Sequence, residues 1–368
     1  MRSHIALMSV PLHGHVNPML GVAAELVDRG HRVTFASGAA FAPLIAETGA
    51  TPVTYLSTFP VGGAPGDGWL AASDDGTQAA RMFGRERDAA LPQIAAAYGD
   101  DRPDLVVHDT VTAYGPMLAD RWGVPQVQFS PTHVFFHDAE KRIGAPVRVV
   151  PDVRPCVVAM PRSLQINAEQ VGPEHLFVGP VPWRRRTDGD WTAPAGKRVA
   201  LVSLGTTYNT RTDVLIRCAE GLSAGGWHVV IATGDADTAR DLSDLPGSVE
   251  VHRWVPQVRV LEQAEVFVTA GGAGSALEGL TQGVPLVVVP QGVEQFLTAA
   301  RVQALGVGRA ITPERFSAEA IRTAAEELTT NPGTRAALEA MRAEIARSGG
   351  APVAADFIET HLQEGSAV

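Results

Sequence analysis

One pattern recurs along the 368-residue sequence: a short apolar run, a loop with glycine or proline, and then an amphipathic stretch. Residues 4–10 (HIALMSV) predict a buried strand, and residues 19–27 carry apolar side chains at helical spacing that ends at Gly30. Asn17 and Pro18 predict the N-cap and first turn of that helix. Alternation of this kind indicates parallel strands covered by helices. Further strands of the same sheet are expected in residues 32–37, 52–56, 104–109 and 125–130.

The pattern starts again after a segment rich in proline, glycine and charge, residues 181–197, which predicts a linker. Strands of a second sheet are expected in residues 198–205, 228–234, 249–255, 266–272 and 285–291. The fold class is therefore α/β, with two doubly wound Rossmann-like domains facing across a cleft. We expect an N-terminal domain in 1–180, a second domain in 198–350, and a helix in 351–368 that packs back on the first domain.

Composition narrows the functional class. A formal net charge of −10 disfavours binding to a nucleic-acid backbone. The two cysteines, Cys156 and Cys218, give neither metal-ligand spacing nor a disulfide framework. No run approaches the roughly 18 apolar residues of a membrane span. We expect a cytoplasmic protein, monomeric or homodimeric, that acts on small molecules.

An anion site is predicted where the strand in 266–268 runs into glycines and then into a helix. The backbone N–H groups of Gly272, Gly274 and Ser275 would lie at the helix N-terminus, which suits phosphate. A tight turn that needs close packing is the alternative explanation. Neither half carries the full glycine fingerprint of a dinucleotide site, so nicotinamide chemistry is disfavoured.

A general base is predicted in the loop after the first strand, which carries His13 and His15 just ahead of a helix. Asp109 ends another strand, where its carboxylate could hold a histidine ring in one tautomer. A locally satisfied loop histidine and an aspartate that caps a helix are the alternatives. The Asp-x-Asp pairs at 188/190 and 235/237 fit a linker and a helix start, so no metal is expected.

Six motifs occur in order along the chain: HGHVNP (13–18), FVGP (177–180), SLGT (203–206), WVPQ (254–257), GGAGSALEGL (271–280) and PQGVEQ (290–295). As a set, they resemble the inverting family 1 glycosyltransferases of the GT-B fold, and most closely the actinobacterial macrolide glycosyltransferases. The resemblance covers nearly the whole chain. It implies transfer of a hexose, glucose from UDP-glucose, to a hydroxyl of a hydrophobic natural product such as a macrolide. UDP- or TDP-sugar would be a co-substrate, with no cofactor and no metal.

The resemblance also implies residue roles. His13 would be the catalytic base and Asp109 would orient it. Donor binding would fall to Thr206, Trp254, Val255, Gln257, Gly272, Gly274, Ser275, Glu278, Gln291, Glu294 and Gln295. Among them, Glu294 and Gln295 would bind the hydroxyls of a glucose-like sugar. Without the resemblance, Trp254 is interpreted as core, and Glu294 with Gln295 as the first turn of a helix.

The acceptor wall is predicted from position alone, in the 58–70 loop and after the fifth strand at Phe129, His133, Phe135 and Phe136. For the last two residues, a place in the core is the alternative. The sequence departs from the family at Ala270, where a histidine that contacts the diphosphate is usual. It is also shorter than the family around residues 137–150.

Two other functions fit the same motifs. A nucleotide-sugar epimerase of this architecture would release UDP without any acceptor. A catalytically silent, sugar-nucleotide-binding partner protein is suggested by Ala270, whereas the presence of both His13 and Asp109 argues against it.

Overall fold

A computed structural model describes residues 2–59, 77–134, 154–183, 189–206, 211–234, 238–239, 242 and 245–364. The described residues divide into two compact units. The first unit contains the residues up to 183 together with 348–364, and the second contains 189–347. None of the helices in these ranges is both long enough and apolar enough to cross a membrane.

The first unit is built on a seven-stranded parallel sheet in the order β3-β2-β1-β4-β5-β6-β7. Its strands are His4–Met8 (β1), Arg32–Gly38 (β2), Thr51–Tyr55 (β3), Leu105–Asp109 (β4), Gln126–Ser130 (β5), Cys156–Val158 (β6) and His175–Phe177 (β7). Its helices before the linker are His13–Asp28 (α1), Ala42–Glu47 (α2), Thr77–Tyr98 (α3) and Tyr114–Trp122 (α4).

The second unit repeats this order in a six-stranded parallel sheet, β10-β9-β8-β11-β12-β13. Its strands are Arg198–Ser203 (β8), Trp227–Ala232 (β9), Val249–His252 (β10), Val266–Thr269 (β11), Leu286–Val288 (β12) and Gly308–Ala310 (β13). Its helices are Thr212–Ala224 (α5), Gln257–Leu261 (α6), Ala273–Gln282 (α7), Val293–Ala304 (α8), Ala318–Thr330 (α9) and Pro332–Arg347 (α10). A final helix, Gly350–Glu364 (α11), belongs to the first unit. The strand orders confirm the prediction of two doubly wound Rossmann-like domains.

Side chains of β1 alternate between two cores, because successive residues of a strand face opposite sides of the sheet. Ile5 and Leu7 pack under α1 and α11 in the first core, whereas Ala6 and Met8 pack against α3 and α4. Every residue of β1 is buried, which is expected of a parallel sheet covered on both faces.

Helix α1 begins at His13, with Leu12 as its N-cap, so the prediction that Asn17 caps it is wrong. Pro18 lies inside the helix, where it has no N–H to bond to the carbonyl of Gly14. The helix ends as predicted, with Gly30 in a left-handed conformation (φ 88°).

The segment between the units is anchored at both ends. Val181 is buried in the core of the first unit. In the second unit, the indole N–H of Trp191 donates to Oε2 of Glu250 at 3.1 Å. Helix α11 packs on α1, where Arg29 donates to Asp356 and Glu359 at 2.6 and 2.8 Å. The residues predicted as a linker are thus partly packed, and the last helix lies on the first unit.

Gly221 marks the closest approach of two helices in the second unit. A β-carbon there would lie 2.1 Å from the carbonyl oxygen of Ala318, at the start of α9. We expect Gly221→Ala to lower the free energy of unfolding by about 1–3 kcal/mol, because one of the helices must shift. Gly84→Ala in α3 is the matched control. It has no neighbour within 4 Å and should gain about 0.5–1 kcal/mol. Urea unfolding measures both variants, and equal stabilities would contradict the packing described here.

Candidate active site

Asp109 is a fully buried carboxylate at the carboxyl end of β4. Its Oδ1 accepts the backbone N–H of Val111 at 2.8 Å, and its Oδ2 lies 2.8 Å from Nδ1 of His15. The parallel register of β1 and β4, in which Met8 pairs with His108, brings the two loops together. Helix α4 begins only at Tyr114, with Ala113 at its N-cap, so Asp109 does not cap that helix.

His15 lies in the first turn of α1, and its side chain is 19% exposed. Because a carboxylate only accepts hydrogen bonds, the bond to Asp109 places the proton on Nδ1 and the basic lone pair on Nε2. Neighbouring His108 is only 2% exposed, so its ring is not accessible to a substrate, and the same burial lowers its pKa to about 4. The His15–Asp109 pair therefore has the chemistry of a general base with its orienting acid.

The structure corrects the predicted pairing of Asp109 with His13, because His15 makes the bond. Positions 13 and 15 lie about 200° apart around the axis of a helix that already includes both residues. The ring of His13 contacts Phe41 edge-on, with centroids 4.9 Å apart. The sequence did present both histidines, but the start of α1 decides which one meets Asp109.

The glycine loop of the second unit joins β11 to α7. Gly271 is required by its backbone, with φ 89° and Val288 2.6 Å from the position of a β-carbon. Gly272 and Gly274 have neither constraint: φ is not positive, and no atom lies within 4 Å of a β-carbon. Packing thus explains only the first glycine. The other two leave open space at the N-terminus of α7, beside Ser275, which suits a phosphate group.

Two residues near this loop, Thr206 and Ala270, differ in whether their side chains can donate a hydrogen bond to an anion. After β8, Gly205 adopts φ 83° with open space around it, and half-buried Thr206 follows. Ala270 is 1% exposed and packs in the core of the second unit. Its methyl group adds no donor, so backbone amides and hydroxyls are the groups available here.

Two of the predicted nucleoside residues are joined by a hydrogen bond between α6 and α7. Nε2 of Gln257, at the start of α6, donates to Oε2 of Glu278 on α7. Trp254 is 55% exposed, so it is not a core residue, and half-buried Val255 follows it. An exposed indole suits stacking on a nucleobase, and a carboxylate suits the hydroxyls of a ribose.

The residues predicted to bind sugar form the N-terminus of α8. Oε1 of Gln295 accepts the backbone N–H groups of Gln291 and Gly292 at 2.7 and 3.0 Å, so the side chain caps its own helix. Nε2 of Gln291 donates to the carbonyl of Val289 at 2.9 Å, and Glu294 is exposed in the first turn. The alternative interpretation, the first turn of a helix, accounts for the hydrogen bonds of the Gln295 side-chain oxygen. A role of Gln295 in binding a sugar stays a prediction.

The residues predicted to line the acceptor site fit that role less well where the structure describes them. Phe129 is fully buried among the core side chains of the first unit, which corrects its assignment to the acceptor wall. His133 is 1% exposed, and its Nδ1 accepts the N–H of Ile166 at 3.4 Å. Phe135, Phe136 and most of the 58–70 loop lie outside the described residues. The same holds for Asp188, Asp235 and Asp237, and no group of three potential metal ligands occurs in the described ranges.

Comparisons with known proteins decide the family. Residues 226–359 match the C-terminal domain of the erythromycin biosynthesis protein CIII-like family. The oleandomycin glycosyltransferase of Streptomyces antibioticus is 38% identical over 98% of this chain and 91% of its own length. The chain belongs to the natural-product glycosyltransferases. The NDP-glycosyltransferase YjiC of Bacillus licheniformis is 35% identical over 98% of both chains.

Solved structures agree with this assignment. The glycosyltransferase of kitacinnamycin has a TM-score of 0.87 and 37% identity, with 98% of this chain and 100% of that chain covered. These matches confirm the GT-B fold and the resemblance to macrolide glycosyltransferases.

A substitution at Gly274 tests the predicted diphosphate site separately from the stability of the fold. Gly274→Ala should leave the stability unchanged or slightly higher, since alanine favours the helix and meets no neighbour. The added methyl group should displace UDP from an amide of α7, and losing one hydrogen bond to a charged group, about 1.5–3 kcal/mol, weakens binding roughly tenfold or more. Calorimetric titration with UDP and with TDP measures this, and unchanged affinity for both would place the diphosphate elsewhere.

Proposed function

We propose that this glycosyltransferase moves a glucose-type hexose from UDP-glucose to a hydroxyl of a hydrophobic natural product such as a macrolide, with inversion and without a metal. The observation that carries the proposal is the hydrogen bond between His15 and buried Asp109 at the carboxyl edge of the first sheet. The acceptor class comes from the name of the relative from Streptomyces antibioticus, whose substrate is oleandomycin.

His15 is the base in this proposal, in place of the His13 expected from the motif. Its Nε2 takes the proton of the acceptor hydroxyl, the oxygen bonds to the anomeric carbon, and the bond from that carbon to the diphosphate breaks. Asp109 stabilises the imidazolium that forms. A single displacement from the opposite side inverts the anomeric centre.

The leaving UDP is stabilised in the second unit. Amides at the start of α7 and the hydroxyls of Thr206 and Ser275 meet the diphosphate, as fixed dipoles that need no reorganisation. Trp254 stacks on the base, and Glu278 accepts from the ribose hydroxyls. Glu294 and the Nε2 of Gln295 bind the sugar. Ala270 leaves this set intact, and the bonded pair of His15 and Asp109 supports an enzyme over a silent sugar-nucleotide-binding protein.

The function is tested by incubating the protein with UDP- and TDP-sugars and a panel of macrolides and flavonoids, with mass spectrometry of the products. We expect a hexosylated macrolide from UDP-glucose. UDP released from UDP-glucose in the absence of any acceptor, with an epimerised sugar, would instead indicate the epimerase alternative. No product with any pair would refute the proposed transfer.

The base assignment is tested by two matched histidine variants. His15→Ala should lower kcat by about 10² to 10⁴, the usual contribution of a general base, while UDP affinity stays unchanged. His13→Ala removes an equal ring from the same helix turn and should keep most of the rate. A large loss in His13→Ala with a small one in His15→Ala would restore the assignment to His13.

Asp109→Asn tests the orienting role. The amide is nearly the same shape and still accepts the N–H of Val111, but it can donate to Nδ1 and favour the wrong tautomer. We expect a loss of kcat with little change in melting temperature. A variant that loses stability and keeps its specific activity would show that Asp109 serves only the fold.

Metal independence is expected because amides and hydroxyls surround the proposed diphosphate site. Turnover should be unchanged after dialysis against EDTA and should not rise with added Mg²⁺ or Mn²⁺. Loss of activity in EDTA that Mg²⁺ restores would contradict the diphosphate site described here.

A further inference from the structure

Two carboxylates are fully buried among the described residues. One is Asp109, and the other is Glu86 on α3. Burial of a charge is unfavourable unless hydrogen bonds compensate for the lost water. Oε1 accepts the hydroxyls of Tyr55 and Ser57 at 2.8 and 2.7 Å. Oε2 accepts the backbone N–H and the hydroxyl of Thr58 at 2.7 and 2.6 Å.

All four donors lie in residues 55–58, where the chain leaves β3. Helix α3 makes a further hydrogen bond to this segment, in which Oε1 of Gln93 accepts the N–H of Leu56 at 2.9 Å. Beyond it, buried Phe59 packs against Phe83 of α3, with ring centroids 5.8 Å apart. Side chains of α3 thus fix the position of this segment.

This segment lies close to the loop that leads into α1, which carries His15, and to the helix that follows Asp109. A β-carbon on Gly38 would lie 2.8 Å from Pro11 and 3.7 Å from Ser57, so Ser57 lies beside the loop that leads into α1. On the other side, the hydroxyl of Tyr55 lies 3.2 Å from that of Tyr114, in the helix that follows Asp109. Burial, with Tyr114 and Glu86 beside it, raises the pKa of Tyr55 far above its usual range, so its hydroxyl stays protonated.

We propose that Glu86 is a positioning residue for the acceptor: its four hydrogen bonds fix residues 57 and 58 beside the loop of the base and so determine how the acceptor hydroxyl is presented. The inference rests on the proposed glycosyl transfer. A glutamine replaces this carboxylate only in part. Its NH₂ group would face either the N–H of Thr58, which cannot accept, or the hydroxyls of Tyr55 and Ser57, which would have to accept in place of donating.

The experiment compares Glu86→Gln with Tyr98→Phe. Tyr98 is a buried tyrosine of the same helix, and its hydroxyl bonds Thr34 at 2.7 Å, away from residues 55–58. With UDP-glucose as donor and oleandomycin or quercetin as acceptor, Glu86→Gln should lower the acceptor kcat/KM roughly tenfold or more, mainly through KM, because small misplacements are costly. The affinity for UDP should not change, and Tyr98→Phe should keep the wild-type acceptor KM.

An acceptor KM in Glu86→Gln equal to that of wild type, or to that of Tyr98→Phe, would overturn the proposal. If Glu86→Gln does not fold, Tyr55→Phe and Ser57→Ala each remove one donor. Raised acceptor KM in both then supports the role, and wild-type values in both refute it. An inactive wild-type protein would refute the glycosyl transfer instead. Hydrogen–deuterium exchange separately tests whether Glu86 fixes the segment, since the amide of Thr58 should then exchange faster in Glu86→Gln than in Tyr98→Phe.

Discussion

The pairing of β1 with β4 is the constraint on which the proposed active site depends. Because the strands are parallel and Met8 lies opposite His108, the loops that follow them leave the sheet at one edge. There the buried carboxylate of Asp109 needs hydrogen-bond donors, and the backbone of Val111 and the ring of His15 supply them. A slip of one residue would exchange the two faces of β4 and remove Asp109 from its donors. Fold and chemistry are therefore fixed by the same register.

The sequence predicted most of the fold, because long apolar runs separated by glycine and proline leave few alternatives to parallel sheets. It missed β6, β7 and β13, which have three residues each and show no period, although β12 is equally short and was predicted. It misplaced the start of α1 because Asn17 and Pro18 resemble a helix start, whereas Pro18 lies inside the helix. The choice of His13 over His15 came from the family resemblance, and the hydrogen bond of His15 to Asp109 corrects it.

The candidate site was less predictable than the fold. Motifs located the second unit's residues, and the bond between Gln257 and Glu278 joins two of them. Phe129 shows the limit of such reasoning, since both faces of a parallel sheet are covered and a strand pattern cannot tell core from ligand. Glu86 was invisible for another reason. A charged residue in a long amphipathic helix is normally taken as solvent-facing, and its partners come from a distant part of the chain.

The placement of α11 has a consequence for how the protein is made. Ala354 and Ile358 fill the core under α1, so the first unit is not complete until the last helix is present. A ribosome delivers the N-terminal strands first and α11 only after the whole second unit, which can fold on its own contacts in the meantime. Until then, the apolar side chains that α11 covers on α1 stay exposed to chaperones and to other nascent chains. The first unit, whose strands are synthesised first, is therefore the last to complete its core.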